Sequence, residues 1–378
     1  MIGSLDITVL QKLWWLITSV VGSLFLFLTF VQGGQTLLFT VAGDEEEKSL
    51  VLNSIGRKWE LTFTTLVLFG GALFAAFPLF YATSFGGAYW VWMLILFTFV
   101  VQAVSYEFRK KPHNLLGARV YEVFLLINGS VGILLIGAAV GTFFTGSEFT
   151  LSAMRSGTWL HPLRGLEAAF NPFNVALGLF LVFNARVLGA LYLTNHIDHP
   201  PLAAKTGRAA FTNLLLALPF LLFVLFRLLT MDGFAVDPAN GAVYMEGGKY
   251  LHNLLAMPVA AALLLGGLLL VVWGVLTTRF AERKSGIWFA GPGTVLVGLA
   301  LFSLAGYNHT AFYPSRADLA SSLTIHNASS SHYTLTVMSY VAIAVPFVLA
   351  YIACVWRMMD SKKLTSADLQ GEAAEDLY

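Results

Sequence analysis

Residues 59–81, WELTFTTLVLFGGALFAAFPLFY, decide the fold. An apolar run of this length crosses the hydrocarbon core of a bilayer as a helix, here with an aromatic residue and an acid at its mouth. Gly70-Gly71-Ala72 and Ala75-Ala76 thin it enough for a neighbouring helix to approach closely, and Pro78 bends its end. The proline frees a backbone carbonyl that nearby groups must satisfy, because lipid offers no water for the purpose. Packing leaves Glu60 unexplained: an ionisable group at the edge of hydrocarbon is costly and marks a functional position.

The whole chain repeats this chemistry. Of its 378 residues 57% are hydrophobic and 11% charged, against roughly a quarter charged in soluble domains. This is the composition of a polytopic membrane protein. A net charge of +1 supplies no basic surface for nucleic acid, and the single cysteine, Cys354, excludes an intrachain disulfide and a thiolate metal cluster. The first apolar segment is long, lacks a small-residue cleavage site and follows one cation, so it reads as a retained span.

Counting runs of about 20 apolar residues predicts nine spans, near 13–40, 61–82, 88–107, 120–144, 170–194, 207–230, 251–277, 287–307 and 333–357. They form one all-α integral-membrane domain over 1–378. The second helix is expected to begin near Lys48, because LVLNSIGRKW (50–59) is amphipathic. The N-terminus and the connections on its side hold Lys12, Arg155, Arg164, Lys249 and Arg316. The opposite side holds Lys48, Arg57, Lys58, Arg109, Lys110, Lys111, Arg119, Lys205, Arg208, Arg279, Arg283, Lys284, Arg357, Lys362 and Lys363. By the positive-inside rule this predicts an N-terminus outside and a C-terminus in the cytoplasm, with Glu60 and Glu107 at the cytoplasmic face. The acidic run 44–47 is expected to be a solvated loop near a helix start, and the polar tail after Lys363 is expected to fray. There is no convincing internal repeat.

A haem inside the membrane needs an axial His or Met within a span. All eight histidines (113, 161, 196, 199, 252, 309, 326, 332) fall in connections or at helix ends, so none is expected to ligate a buried haem. His196-Ile197-Asp198-His199 has a spacing that suits a surface metal, but a solvated loop is the simpler expectation. Met93 and its like read as core filler. The acids say more. Glu60 and Glu107 lie at one membrane face on adjacent helices, where a shared polar pocket would let them bind protons and pass them inward. The competing expectation is that each snorkels and pairs with Arg57, Lys58 or Arg109. Gln32 and Gln35, in Gln32-Gly33-Gly34-Gln35, add neutral amides that orient water and hold no charge. Arg186 is the one cation well inside a span, open to structural pairing, transport or a lipid head group. The eighth connection is rich in Ser, Thr and Asn, which suits it to satisfying irregular backbone.

Taken in order, these residues resemble subunit II of the cytochrome bd quinol oxidases. The anchors are Trp14-Trp15, Asn53-Ser54-Ile55 leading into Trp59, and the block from Gly70 to Ala76 with Pro78 and Tyr81. Further along stand Phe108-Arg109, Asn171-Pro172-Phe173, Pro314-Ser315, Ser322-Leu323-Thr324, Thr334-Leu335 and Val337-Met338. The resemblance covers nearly the whole chain. It implies a nine-span, haem-free subunit of a respiratory-chain oxidoreductase in the bacterial or archaeal cytoplasmic membrane. Its partner is the haem-bearing subunit I, which carries haems b and d and the quinol-oxidation loop. Small single-span subunits, membrane lipids and a structural quinone are further possible partners. The complex oxidises quinol, reduces dioxygen to water and is electrogenic without pumping, its protons drawn from the cytoplasm. Subunit II supplies part of that proton path, and the family's acid after the Trp of the second helix, typically Asp, maps to Glu60. Three departures stand out: Gln32-Gly33-Gly34-Gln35 replaces Asp-Gly-Phe-Asp, Gln102-Ala103 replaces Arg-Pro, and Glu107 replaces Asp. The candidate proton-handling set is therefore Glu60, Trp59, Glu107, Gln32 and Gln35. The rival from another class is a multi-span secondary transporter, favoured by the helix-breaking signals at Gly70-Gly71 and Pro78 but lacking repeats and a clear midplane polar site.

Overall fold

Each predicted span forms a helix in the computed structural model, which describes residues 2–111 and 114–369. Among the described residues nine helices are long and apolar enough to cross a membrane: Ile7–Val41, Glu45–Ala76, Tyr89–Phe108, Ala118–Thr145, Pro172–His196, Pro200–Thr230, Pro258–Phe280, Ile287–Gly306 and His332–Met359. We refer to them as the first to ninth spans. His113 and the tail beyond 369 lie outside the described residues. The sixth span starts at Pro200, earlier than its apolar run, because His199 accepts the Leu202 N–H and the two prolines suit a first helical turn. A short helix, Lys249–Ala256, precedes the seventh, and Pro258 separates the two.

The first and fifth spans make the centre, with 61% and 78% of their most apolar windows buried, whereas the ninth has 6%. Backbone meets backbone where they cross. A Cβ on Gly33 would lie 1.7 Å from the Ala185 carbonyl oxygen, and one on Gly189 would lie 2.3 Å from the Gly34 nitrogen. Gly33 and Gly189 are thus required by the crossing itself. Gly70 and Gly71 serve no such contact inside the chain. A Cβ on Gly70 would meet Phe85 at an ordinary 3.6 Å, and nothing lies within 4 Å of one on Gly71. That face points outward.

The second span ends at Ala76, before the predicted limit, because Pro78 cannot continue its hydrogen bonding and Phe77 leaves helical geometry. The carbonyls released there are satisfied from the eighth connection. Ser330 donates its N–H to Ala76 O at 2.8 Å and its hydroxyl to Ala75 O at 2.7 Å. The connection is itself held by its polar residues: Ser322 accepts the Ser315 N–H, Asn327 accepts the Thr324 N–H, and Ser321 accepts the Leu151 N–H. Two antiparallel hairpins, Phe149–Leu151 with Gly157–Trp159 and Gly233–Val236 with Val243–Glu246, complete this cap on the N-terminal side. The first span is broken at Thr29, and there the Leu28 carbonyl accepts the Thr62 hydroxyl at 3.1 Å.

At the other, basic face two expectations are corrected. The acidic run is a helix start, solvated at Asp44, Glu45 and Glu46 but not at Glu47: Asp44 caps the Glu47 N–H, and the buried Glu47 carboxylate binds Lys205 at 2.6 Å and the Gly43 N–H. The tail does not fray at Lys363. Leu364 is buried, donates its N–H to His196 O and accepts that of Asp198. Beyond it, Lys362 and then Thr365 hold the Asp368 carboxyl down to about 2.

Ser330→Ala removes the hydroxyl from a carbonyl that has no water to turn to. It is expected to cost about 1–3 kcal/mol, seen as a lowered thermal midpoint of the purified protein in detergent. Ser330→Thr, which keeps the hydroxyl, is expected to recover most of the loss.

Candidate proton-handling site

At the basic face the third span ends and the fourth begins with a buried charge pair. Arg109 donates from Nε (3.0 Å) and Nη2 (2.6 Å) to Oε1 of Glu122, and both residues are buried. Glu45 on the second span accepts from Arg109 at 3.2 Å, and Lys48 bridges Glu45 at 2.7 Å and Glu122 at 3.4 Å. The Glu45 side chain is 73% exposed, so the network runs from the surface to a sealed carboxylate.

Inward of this mouth the side chains are polar and neutral. Gln32 and Gln35 lie on the second half of the first span, Gln102 and Tyr106 on the third, and Asn128 on the fourth, all buried. A π-helical turn at Asn128–Gly132 interrupts the fourth span and brings its backbone against the first: a Cβ on Gly129 would fall 2.3 Å from Gln32 O. Gln35 Nε2 donates to the Tyr106 hydroxyl at 3.1 Å, and Asn128 Nδ2 to Thr98 Oγ1 at 3.5 Å. Gln102 is one turn from both Thr98 and Tyr106. Both amide atoms of Gln32 and of Gln102, Oε1 of Gln35, Oδ1 of Asn128 and Nε1 of Trp59 are buried without a partner among the described residues. Unmet groups of this kind cost about 1–3 kcal/mol each, and so many in one region mark a place built for water or a polar ligand.

The acids singled out in the sequence lie outside this interior. Glu60 and Glu107 are exposed, and among the described residues neither has a hydrogen-bond or ion-pair partner. Glu60 heads an outward stripe of the second span through Thr64, Val67, Leu68, Gly71 and Phe74. Trp59 joins the two zones: it precedes Glu60, and its ring stacks on Tyr106 with centroids 6.0 Å apart and planes at 12°. Of the cations that offered pairing for these acids, Arg109 is taken by Glu122 and Glu45, and Lys58 by Asp360.

Asp360 organises a second buried cluster. It accepts from Lys58 at 2.7 Å, Trp356 Nε1 at 2.8 Å and the Tyr192 hydroxyl at 3.2 Å, and stands 3.4 Å from His196 Nε2. His196 is fully buried and its Nδ1 meets the Ser54 hydroxyl at 2.8 Å, which corrects the solvated-loop expectation for 196–199. His199 caps the sixth span, its Nδ1 accepting the Leu202 N–H at 3.3 Å. Arg186 bonds Asn213 Oδ1 (2.7 Å), Thr36 O (3.0 Å) and Thr40 Oγ1 (3.3 Å), all neutral acceptors. Neither Glu122 nor Asp360 stands out among the sequence candidates. Glu122 carries a signal, an acid just inside the fourth apolar run; Asp360 carries none, since all its partners but Trp356 come from two distant segments, Lys58 on the second span and Tyr192 with His196 on the fifth.

Glu122→Gln leaves Arg109 buried beside a neutral amide and the exposed Glu45. It is expected to destabilise the protein by about 3–5 kcal/mol, and the double change Arg109→Met/Glu122→Leu is expected to cost less than the single one. Thermal unfolding of the purified variants checks the order.

Comparison with known proteins agrees with this architecture. The family described as cytochrome bd terminal oxidase subunit II matches residues 10–359. Cytochrome bd-I ubiquinol oxidase subunit 2 of Escherichia coli (strain K12) is 27% identical over 383 residues, covering 97% of this chain and 98% of that protein. Cytochrome bd ubiquinol oxidase subunit 2 of Bacillus subtilis (strain 168) is 24% identical over 348 residues, covering 90% and 93%. A chain of the bd oxidase from Geobacillus thermodenitrificans shares the fold with a TM-score of 0.66 at 15% identity, over 94% of this chain and 100% of that one. A family match over nearly all nine spans, with relatives aligned end to end, makes this chain a member of the cytochrome bd terminal oxidase subunit II family and a subunit of a terminal oxidase complex.

Proposed function

We propose that the chain supports quinol oxidation coupled to reduction of dioxygen to water, and that it conducts protons from the cytoplasmic face toward a partner subunit that holds haems b and d. The supporting observation is the set of buried polar atoms without a partner among the described residues on Gln32, Gln35, Gln102, Asn128 and Trp59, the last of them next to Glu60 and stacked on Tyr106. Each group has a task that its chemistry permits. Glu45, Glu122, Arg109 and Lys48 gather charge at the surface. The amides order water without trapping a proton, the Tyr106 hydroxyl both donates and accepts, and Glu60 binds a proton and releases it. No step is placed on a haem of this chain: His196, the buried histidine at a span end, has Nδ1 against Ser54 and Nε2 facing Asp360.

Glu60 faces outward, and this fits delivery to a partner. The stripe it heads is otherwise apolar or small, and Gly71 leaves room for another helix to come close. A subunit laid on that face would enclose Glu60 and Glu107 at the boundary. The transporter alternative loses its footing, because the breaks at Thr29 and Pro78 are satisfied by the chain's own hydroxyls.

Glu60→Gln in the intact complex is expected to lower quinol-driven oxygen consumption by about tenfold or more and to flatten its pH dependence, with Glu60→Asp largely active. Unchanged turnover and pH profile in Glu60→Gln would remove the role. The complex itself is checked by a reduced-minus-oxidised optical spectrum of the gently purified chain. Haem bands and quinol-driven respiration are expected to co-purify; a colourless chain from intact membranes would sink the assignment.

A further inference from the structure

The sixth and seventh spans carry a feature that proton conduction does not use. Where Pro200–Thr230 and Pro258–Phe280 reach the basic face, they enclose a cavity of about 330 Å³ lined by Gly207, Arg208, Thr278, Arg279, Glu282 and Lys284, among others. Lys284 is held by Asp198 at 2.9 Å. Arg208 and Arg279 have no carboxylate within ion-pair distance among the described residues; Arg208 directs Nε to the Ala204 carbonyl, and the Arg279 guanidinium lies over the Phe280 ring. The cavity therefore presents two uncommitted guanidinium groups at the depth of phospholipid head groups.

Below it the same two helices border a second cavity of different character. About 80 Å³ in volume, it is lined by Leu214, Leu218 and Leu221 of the sixth span and by Leu268, Val271 and Val272 of the seventh, with neighbouring-span residues that are apolar except for Asn184 and Thr294, which bond each other at 3.3 Å. Leu214 and Val272 each lie seven residues inward of Gly207 and Arg279, about 10 Å along a helix at 1.5 Å per residue. A cationic chamber at the membrane surface and an apolar one beneath it, on one helix pair, match an amphiphile with an anionic head. The sixth span has only 22% of its most apolar window buried, so the seam is open to the bilayer.

We propose that this seam is a binding site for one anionic phospholipid of the leaflet on the basic side. Arg208 and Arg279 take the phosphate, Thr278 lies beside them, and an acyl chain follows Leu214, Leu218 and Val272 toward the lower cavity. Basic pockets between spans on this side of a membrane suit such head groups. The site is separate from the proposed proton path, since the sixth and seventh spans pack chiefly on the fifth and eighth. It does not depend on that path being correct.

The test is native mass spectrometry of the intact oxidase complex, equilibrated with phosphatidylglycerol and washed in detergent. Wild type is expected to retain a phosphatidylglycerol that an excess of inorganic phosphate does not displace. Arg208→Gln/Arg279→Gln is expected to lower the retained fraction by about tenfold or more, while Arg208→Lys/Arg279→Lys keeps most of it. Leu218→Trp, which fills the apolar seam without changing charge, is expected to expel the lipid too. An unchanged haem spectrum in each variant shows that the complex is assembled. Equal retention by the Gln double variant, retention by Leu218→Trp, or displacement of the lipid by phosphate would each overturn the proposal.

Discussion

Inside a bilayer a backbone carbonyl has no solvent to fall back on, and this structure is arranged around the places where its helices fail to supply a partner. The break before Pro78 is the clearest case. Ala75 and Ala76 lose their helical donors, and Ser330, 254 residues beyond Ala76, supplies both replacements from one residue. The eighth connection must therefore fold into a defined shape, which its Ser, Thr and Asn side chains achieve by capping one another's backbone. At Thr29 the requirement is met by Thr62 of the second span. Each break ties together segments that are remote in sequence, so a break becomes a point of attachment.

Much of this is legible in the sequence, for a physical reason. Apolar runs near 20 residues report spans directly, and a proline inside one reports a freed carbonyl, so nine spans and the need for polar partners near residue 76 follow from residue type alone. Which face a residue takes does not. Gly70-Gly71 has the composition of a helix crossing, yet crossings that need glycine are those of Gly33 with Gly189, Gly137 with Gly178 and Gly267 with Gly293, and Gly71 looks out into open space. For Glu60 and Glu107 residue type leaves a shared pocket and separate snorkelling both open; both stand on outward faces, while the pocket's walls are amides. The Asp360 cluster was beyond reach, because Lys58 belongs to the second span, Tyr192 and His196 to the end of the fifth, and only the folded tail gathers them.

The amides themselves show a constraint at work. The resemblance sets acids at the positions of Gln32 and Gln35 and a cation at Gln102, and here both signs are gone together. Losing only one would strand a buried charge, at a cost of about 3–5 kcal/mol. Neutral amides keep the hydrogen-bonding capacity without that hazard. Charge is then confined to the two ends of the polar region: to Arg109 with Glu122 at the mouth, where they neutralise each other, and to Glu60 on the outer face. What such an interior offers is fixed dipoles able to order water, with ionisable groups only at its ends.

The ninth span shows why the chain is incomplete alone. It is held at its two ends and nowhere firmly between: Trp14 donates to Leu335 O and Ser339 near the start, and Trp356 stacks on Phe27 and bonds Asp360 near the finish. Between these anchors an apolar groove of about 430 Å³ separates it from the first and second spans. A helix pinned at both ends over a groove gains little from packing within its own chain, and the second span borders the same groove through Leu61, Thr65 and, from its outward stripe, Leu68. Burial of these faces must come from outside the chain. The acid at the head of that stripe, Glu60, stands on the same uncovered face, exposed and without an ion-pair partner among the described residues.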